Sequence, residues 1–270
     1  MTRSRLAVWG DPIAHSKSPV LHAAAYRVLG LDWVYGRRQV DADGFEPALE
    51  GLDDTWRGLS LTMPLKEAAF RAAVTVDRHA ELTGAVNTLL LGEHLAGFNT
   101  DVGGIVDALT EADVPEAGQV RILGAGATAS SALVAASELG AVRIDVRARR
   151  PEAAAALVEL GERLGVIVDV DSFDAPLSHV DLTVATLPGG AELSADVAAA
   201  LAASGGALFD VAYAPWPSAL AALWGGDRAI SGLGMLLHQA VRQIRIFRNG
   251  DPAIALPDED AVIAAMRAAL

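Results

Sequence analysis

Two ionisable residues and a pair of serines carry the chemistry for which this sequence can first be read. Lys66 closes G-L-S-L-T-M-P-L-K (58–66), where Pro64 stops a strand expected over Leu59–Thr62 and a helix is expected through Ala73. A lysine held in such a turn can move a proton to or from a reacting group. Asp101 lies in G-F-N-T-D-V-G-G (97–104), at the start of a helix expected over Val102–Leu109. Ser16 and Ser18 lie in D-P-I-A-H-S-K-S-P-V-L-H, after a strand over Leu6–Gly10. Hydroxyls at the carboxyl end of such a strand sit where α/β sheets bind ligands. Each residue also has a plain structural role open to it. Lys66 suits a solvated surface, Thr100 or Asp101 suits a helix N-cap, and Ser18 with Pro19 after it suits the cap of the next helix.

A second kind of chemistry is written in V-R-I-L-G-A-G-A-T-A-S-S (120–131). A strand over Val120–Leu123, a turn at Gly124-Ala125-Gly126 and a helix over Ala127–Leu139 make a phosphate cradle. Backbone N–H groups and the helix dipole favour an anion there, and glycine lets a pyrophosphate approach. The third glycine of the dinucleotide fingerprint is absent, with Ser130 or Ser131 in its place. A strand over Val142–Val146 follows, then R-A-R-R (147–150). Asp145 has the spacing of an acid that binds the free ribose of NAD. Alternation places it inside the strand, whereas Arg147, Arg149 and Arg150 lie past its end. The arginines favour the 2′-phosphate of NADP.

These pieces sit in a chain of 270 residues, long enough for two domains and 52% hydrophobic. The net charge is −13, with no large basic patch, which disfavours nucleic acid and anionic membranes as partners. There is no cysteine, so disulfides, thiol catalysis and Cys-ligated zinc are excluded. No acidic or histidine cluster has metal-ligand spacing, and no metal is expected. The amino terminus lacks a signal-peptide pattern and no apolar run could span a bilayer, so a cytoplasmic protein is expected. A homodimer is the candidate assembly.

The order of elements predicts an α/β protein of two domains: an N-terminal α/β domain, then a Rossmann-like doubly wound parallel sheet. Before the glycine loop come strands Trp33–Val40 and Ala85–Leu91, a short helix Gly44–Leu49, and an acidic connector Ala112–Gly118. After it come helix Glu152–Leu164, strands Val166–Val170 and Asp181–Thr186, helix Ala195–Ala202, and strands Leu208–Val211 and Ala229–Ile230. Helices Leu233–Phe247 and Glu259–Leu270 end the chain. The expected domains are 1–101 with 238–270, and 102–237.

Six stretches together resemble one family. H-S-K-S-P-V-L-H (15–22), S-L-T-M-P-L-K (60–66), G-A-V-N-T (84–88), N-T-D-V-G-G (99–104), G-A-G-A-T (124–128) and G-L-G-M-L-L-H-Q (232–239) occur in the order found in shikimate dehydrogenases. The resemblance implies reversible NADPH-dependent reduction of 3-dehydroshikimate to shikimate, on the route to aromatic amino acids. It implies a substrate domain made of the N-terminal part plus the C-terminal helices. It places Lys66 and Asp101 as the catalytic pair, and substrate contacts on Ser16, Ser18, Thr62, Asn87, Asp101, Gln239 and Tyr213. Gly124, Ala125, Gly126, Ala127 and Thr128 match the phosphate loop. Arg149, flanked by Arg147 and Arg150, matches the adenosine-phosphate contact, and Val211 and Gly232 match contacts near the nicotinamide. Ala127, Ala148, Ala23 and W-P-S-A-L (216–220) depart from the usual pattern. A relative acting on quinate or aminoshikimate with NAD, or a non-catalytic sensor, remains open.

Overall fold

The computed structural model describes residues 4–114, 117–188, 190–225 and 228–270. Residues 115–116 of the expected connector, and the first three residues, lie outside that description. The chain divides into two compact units, Met1–Gly104 with Leu236–Leu270, and Ile105–Met235.

The first unit contains β1 (Ser4–Gly10), α1 (Ser18–Val28), β2 (Trp33–Gln39), α2 (Phe45–Glu50), β3 (Trp56–Leu61) and α3 (Lys66–Ala72). It continues with β4 (Thr75–Val76), α4 (Arg78–Thr83), β5 (Thr88–Leu90) and β6 (Ala96–Phe98), and α5 (Thr100–Glu111) carries the chain into the second unit. There follow β7 (Gln119–Leu123), α6 (Ala127–Glu138), β8 (Arg143–Arg147), α7 (Ala155–Leu164), β9 (Ile167–Asp171), β10 (Leu182–Ala185), α8 (Ala195–Ser204), β11 (Ala207–Asp210), α9 (Ala219–Trp224) and β12 (Ala229–Ser231). Helix α10 (Leu233–Asn249) returns to the first unit, which α11 (Glu259–Arg267) completes.

In the first unit the strands run β2-β1-β3-β5-β6-β4, parallel through β1–β3 and antiparallel at β3–β5 and β5–β6. Alternation along a strand sends neighbours to opposite faces. Ala7, Trp9, Leu59 and Leu61 accordingly join Phe45 and Leu65 in one core, while Leu6 joins Leu21, Tyr26, Val241, Ile244 and Phe247 in the other. Helix α10 lies close on β3 because Gly58 has no side chain. A Cβ there would come within 2.5 Å of the Phe247 ring.

Several short elements escape the sequence reading. Strands β4 and β6 and helices α4 and α9 are two to six residues long, too short for a hydrophobic period to register. Asp77 caps α4, accepting from the Ala80 N–H at 2.8 Å, and Gly84 ends it at φ +63°. The strand expected over Ala85–Leu91 is only Thr88–Leu90, so Asn87 stands just before it. Ser18 is the first residue of α1 rather than its cap.

The core on the α10 side holds a titratable group. His22 is fully buried and stacks on Tyr35, with ring centroids 3.8 Å apart. Burial pushes its pKa down to about 3, against a partial upward pull from the Gln243 side chain. The native imidazole therefore stays neutral where the unfolded one, near 6.5, gains a proton. Stability from this site is complete above the unfolded value. It is lost, at about 1.4 kcal/mol per pH unit, as pH falls from ~6.5 toward ~3. Urea denaturation at pH ~7, ~6 and ~5 checks this: His22→Asn is expected to flatten the decline, and an unchanged slope would contradict it.

The second unit is an all-parallel sheet in the order β12-β11-β10-β7-β8-β9. This is the strand order of a Rossmann sheet, with its topological switch between β10 and β7. Leu208, Leu201, Ala221 and Trp224 pack on one face with Leu123 and Ala185.

Candidate active site

Lys66 is the first residue of α3, held at the end of β3 by the short turn through Pro64. Its Nζ donates to Asp101 Oδ2 at 2.6 Å, and the two side chains are 14% and 8% exposed. Asp101 is the second residue of α5, where a helix N-terminus favours a carboxylate. It is not the helix cap. Asn99 takes that role, its Oδ1 accepting from the Asp101 N–H at 3.0 Å. The aspartate's own oxygens are thereby left for side-chain chemistry.

Asn87 fixes the other side of the carboxylate. Its Nδ2 donates to Asp101 Oδ1 at 2.7 Å and to Thr100 Oγ1 at 2.9 Å. Its Oδ1 accepts from the Thr100 N–H at 2.9 Å and from Thr88 Oγ1 at 2.8 Å. One buried amide thus ties the start of β5 to the start of α5 and sets the rotamer of Asp101. The charge-assisted Lys66–Asp101 bond is short and shielded from water, which strengthens it. A cation held there can stabilise an oxygen that gains negative charge, and can give it a proton.

The remaining predicted substrate residues are spread over the first unit, except one. Thr62 follows β3, and its carbonyl accepts from the Leu65 N–H at 2.8 Å, shaping the turn before Lys66. Ser16 Oγ accepts from the Ser18 N–H at 3.3 Å. Gln239, on α10, is buried, with its Nε2 donating to the Leu236 carbonyl at 2.7 Å. Tyr213 belongs to the second unit, where burial raises its phenol above the ordinary value.

The glycine loop leaves β7 at the switch point of the second sheet. Gly124 has φ +115°, and a Cβ on it would come within 2.6 Å of Thr186 Oγ1. Gly126 precedes α6, and a Cβ there would meet open space. The first turn of α6, with Ala127 and Thr128, is thus approachable by an anion, as a dinucleotide pyrophosphate requires. Ser131 is buried on the packed face of α6, where the small side chain does what a third glycine does elsewhere. Gly232 is packed so closely against the Val211 backbone that no Cβ would fit between them.

The three arginines of R-A-R-R part company. Arg147 is buried; its Nε donates to Asp145 Oδ1 at 2.6 Å and its other nitrogens to the carbonyls of Ser172, Ala175 and Pro176. Asp145 also receives Arg121 Nε at 2.8 Å. The acid at the NAD spacing is therefore held by two guanidinium groups. Arg149 and Arg150, past the end of β8, are both exposed.

Among the described residues, no group of three or more His, Cys, Asp or Glu side chains could hold a metal ion. No described helix is long and apolar enough to cross a membrane.

Comparison with known proteins identifies the family. The model of the shikimate dehydrogenase substrate binding domain matches residues 8–89. A shikimate dehydrogenase (NADP(+)) of Methylobacterium radiotolerans is 36% identical over 274 residues, covering 96% of each chain. The crystal structure of Mycobacterium tuberculosis shikimate dehydrogenase aligns with a TM-score of 0.87 at 40% identity, over 98% of this chain and 99% of that one. Shikimate 5-dehydrogenase of Thermus thermophilus, solved with NADP(H) and shikimate, aligns with a TM-score of 0.79 at 31% identity, over 99% of this chain and 100% of that one. With such identity sustained over nearly its whole length, the chain belongs to the shikimate dehydrogenase family.

Proposed function

We propose that this chain catalyses the reversible NADPH-dependent reduction of 3-dehydroshikimate to shikimate, on the route to aromatic amino acids. The observation that carries the mechanism is the Lys66–Asp101 pair, locked by Asn87. When bound, NADPH supplies the hydride to the carbonyl carbon. Lys66 faces the oxygen, offsets its growing charge and gives it a proton, so that the carbonyl becomes a hydroxyl. Asp101 keeps the ammonium in place and accepts from a substrate hydroxyl. In the reverse direction Lys66 takes the hydroxyl proton back. Ser16 and Ser18 bind the substrate carboxylate, and Thr62, Asn87, Gln239 and Tyr213 its hydroxyls.

The residues around the glycine loop fit NADP. Gly124 to Thr128 would take the pyrophosphate on the first turn of α6, and the Val211 and Gly232 backbones would flank the nicotinamide. Arg149 and Arg150 would hold the 2′-phosphate, with Arg147 supporting the strand end from within. The occupied Asp145 supports NADP over NAD. The proposed domains are 1–101 with 238–270 for substrate and 102–237 for NADP. The absence of cysteine supports a cytoplasmic setting, and a homodimer is the proposed assembly.

The test is a paired rate assay with shikimate and quinate, each with NADP and NAD. Turnover is expected with shikimate and NADP, and folded protein inactive with every pair would overturn the proposal. In the same assay Arg149→Ala is expected to raise KM for NADP about tenfold or more, as loss of a charge-assisted phosphate contact would. The KM for NAD should hardly change; equal losses with both would remove Arg149 from the phosphate site.

A further inference from the structure

Beside the catalytic pair, the first unit holds a chain of buried and half-buried polar groups of which the mechanism uses only the end, Ser18. Tyr35 Oη donates to Ser60 Oγ at 2.6 Å, and Ser60 Oγ donates to Gln243 Oε1 at 2.6 Å. Gln243 Nε2 donates to the Asn87 carbonyl at 3.4 Å. At the far end the Ser18 hydroxyl is a side-chain partner of the Tyr35 phenol, and with the Tyr35 proton given to Ser60 it is left to Ser18 to donate. Ser18, Ser60 and Gln243 are all buried. The chain arises because alternation on β3 turns Ser60 away from Leu59 and Leu61 and toward α10, while β2 presents Tyr35 on the same side.

Each hydroxyl has a single proton to give. As arranged, every proton points from Ser18 toward the Gln243 carbonyl. A carboxylate only accepts, so an anion at Ser18 must take that serine's proton. Tyr35 then turns its own proton to Ser18, and Ser60 turns to Tyr35. Rotation of the three hydroxyls reverses the chain, with no change in heavy-atom positions. Reversal leaves Gln243 Oε1 without the Ser60 proton, and a replacement stands beside it. His22 Nδ1 pairs with the Tyr26 hydroxyl at 3.0 Å, and its buried Nε2 has no hydrogen-bond partner. With Tyr26 donating to Nδ1, the ring proton sits on Nε2, and Gln243 is the side chain that acts on this imidazole.

We propose that Tyr35 is a positioning residue for the substrate carboxylate: the Ser60–Tyr35–Ser18 hydroxyl chain reverses when the carboxylate binds, and His22 takes over Gln243. This rests on the proposed role of Ser18 in holding that carboxylate. Aligned hydroxyls polarise one another, so the reversed chain makes Ser18 a stronger donor to the anion than an isolated serine.

The test uses the full-length protein, with shikimate and its methyl ester as probes, read by calorimetric titration and by turnover with NADP. Tyr35→Phe keeps the ring and removes the relay. It is expected to weaken shikimate binding and raise its KM about tenfold, with kcat within about threefold. Binding of the ester, which carries no charge, should change by no more than about twofold. Ser60→Ala, a smaller change, should shift the same preference in the same direction. Ser18→Ala combined with Tyr35→Phe should be no worse than Ser18→Ala alone, because the two act through one bond. Equal weakening of acid and ester, or effects that multiply in the double variant, would overturn the relay while turnover by the parent protein left the assigned activity standing. A parent protein that neither binds nor turns over shikimate would overturn both.

Discussion

Replacing Lys66 by alanine is expected to lower kcat for shikimate oxidation by about two to four orders of magnitude, with KM changed only modestly. A proton donor acts mainly in the transition state, so its loss appears in turnover rather than in ground-state affinity. The geometry supports this division. The Lys66 Nζ sits 2.6 Å from Asp101 Oδ2, and removing it leaves the carboxylate still held by Asn87 Nδ2 at 2.7 Å and by the first turn of α5. The carboxylate and the amide proposed to bind substrate hydroxyls therefore keep their places when the ammonium is gone. Asp101→Asn is expected to be slow for a different reason: the ammonium remains but loses its anchor. Steady-state kinetics of both variants, with thermal melts to confirm folding, provide the check. Turnover of Lys66→Ala within a few-fold of the parent would remove Lys66 from the proton-transfer role.

How far such a site can be read from sequence depends on which residues hold it. The long helices and the parallel strands of the second unit are legible, because their apolar patterns run long enough to show a period. The glycine loop is legible because a φ of +115° at Gly124 needs glycine and because strand, turn and helix are contiguous. Lys66 and Asp101 stand out as ionisable residues at helix starts, yet their pairing spans 35 positions and belongs to the tertiary fold. The cap went to Asn99 because an asparagine two residues earlier reaches the Asp101 N–H, a choice that N-T-D leaves open. The supporting shell is less legible still. Tyr35, Ser60 and Gln243 come from three separate elements and meet only when β3 lies between β1 and β5 under α10. The arginines of R-A-R-R look alike as letters but have opposite environments: Arg147 still belongs to β8 and is buried by its bonds to Asp145 and to the carbonyls of 172–176, whereas Arg149 and Arg150 lie past the strand and are exposed.

The second large effect concerns Arg121, which the sequence shows only as one charge inside an apolar strand. It is fully buried. Register sets it opposite Asp145, on the neighbouring strand β8. Its Nε donates to Asp145 Oδ2 at 2.8 Å, Nη1 to Ser204 Oγ at 2.9 Å, and Nη2 to the Ser178 carbonyl at 2.6 Å. One guanidinium thus joins β7, β8, the end of α8 and the loop before β10. Arg121→Met keeps much of the apolar stem and removes the charge. It is expected to cost about 3–5 kcal/mol, because it strands a carboxylate, a hydroxyl and a carbonyl that the arginine had satisfied. Arg147 still pairs with Asp145 at 2.6 Å, which places the loss toward the lower end. Adding Asp145→Leu should cost less than the sum of the two single losses, since the stranded carboxylate is then gone. Urea denaturation of the parent, both single variants and the double variant measures the coupling. A loss below about 1 kcal/mol for Arg121→Met would mean that water or a shifted Arg147 replaces the guanidinium, and that the network is not what holds the two strands in register. A large loss would carry a functional consequence as well. The same strand β7 leads into Gly124, so a variant that still folds should bind NADP more weakly even though Arg121 itself touches no phosphate, and the extent of that weakening would report how rigidly the strand presents the loop.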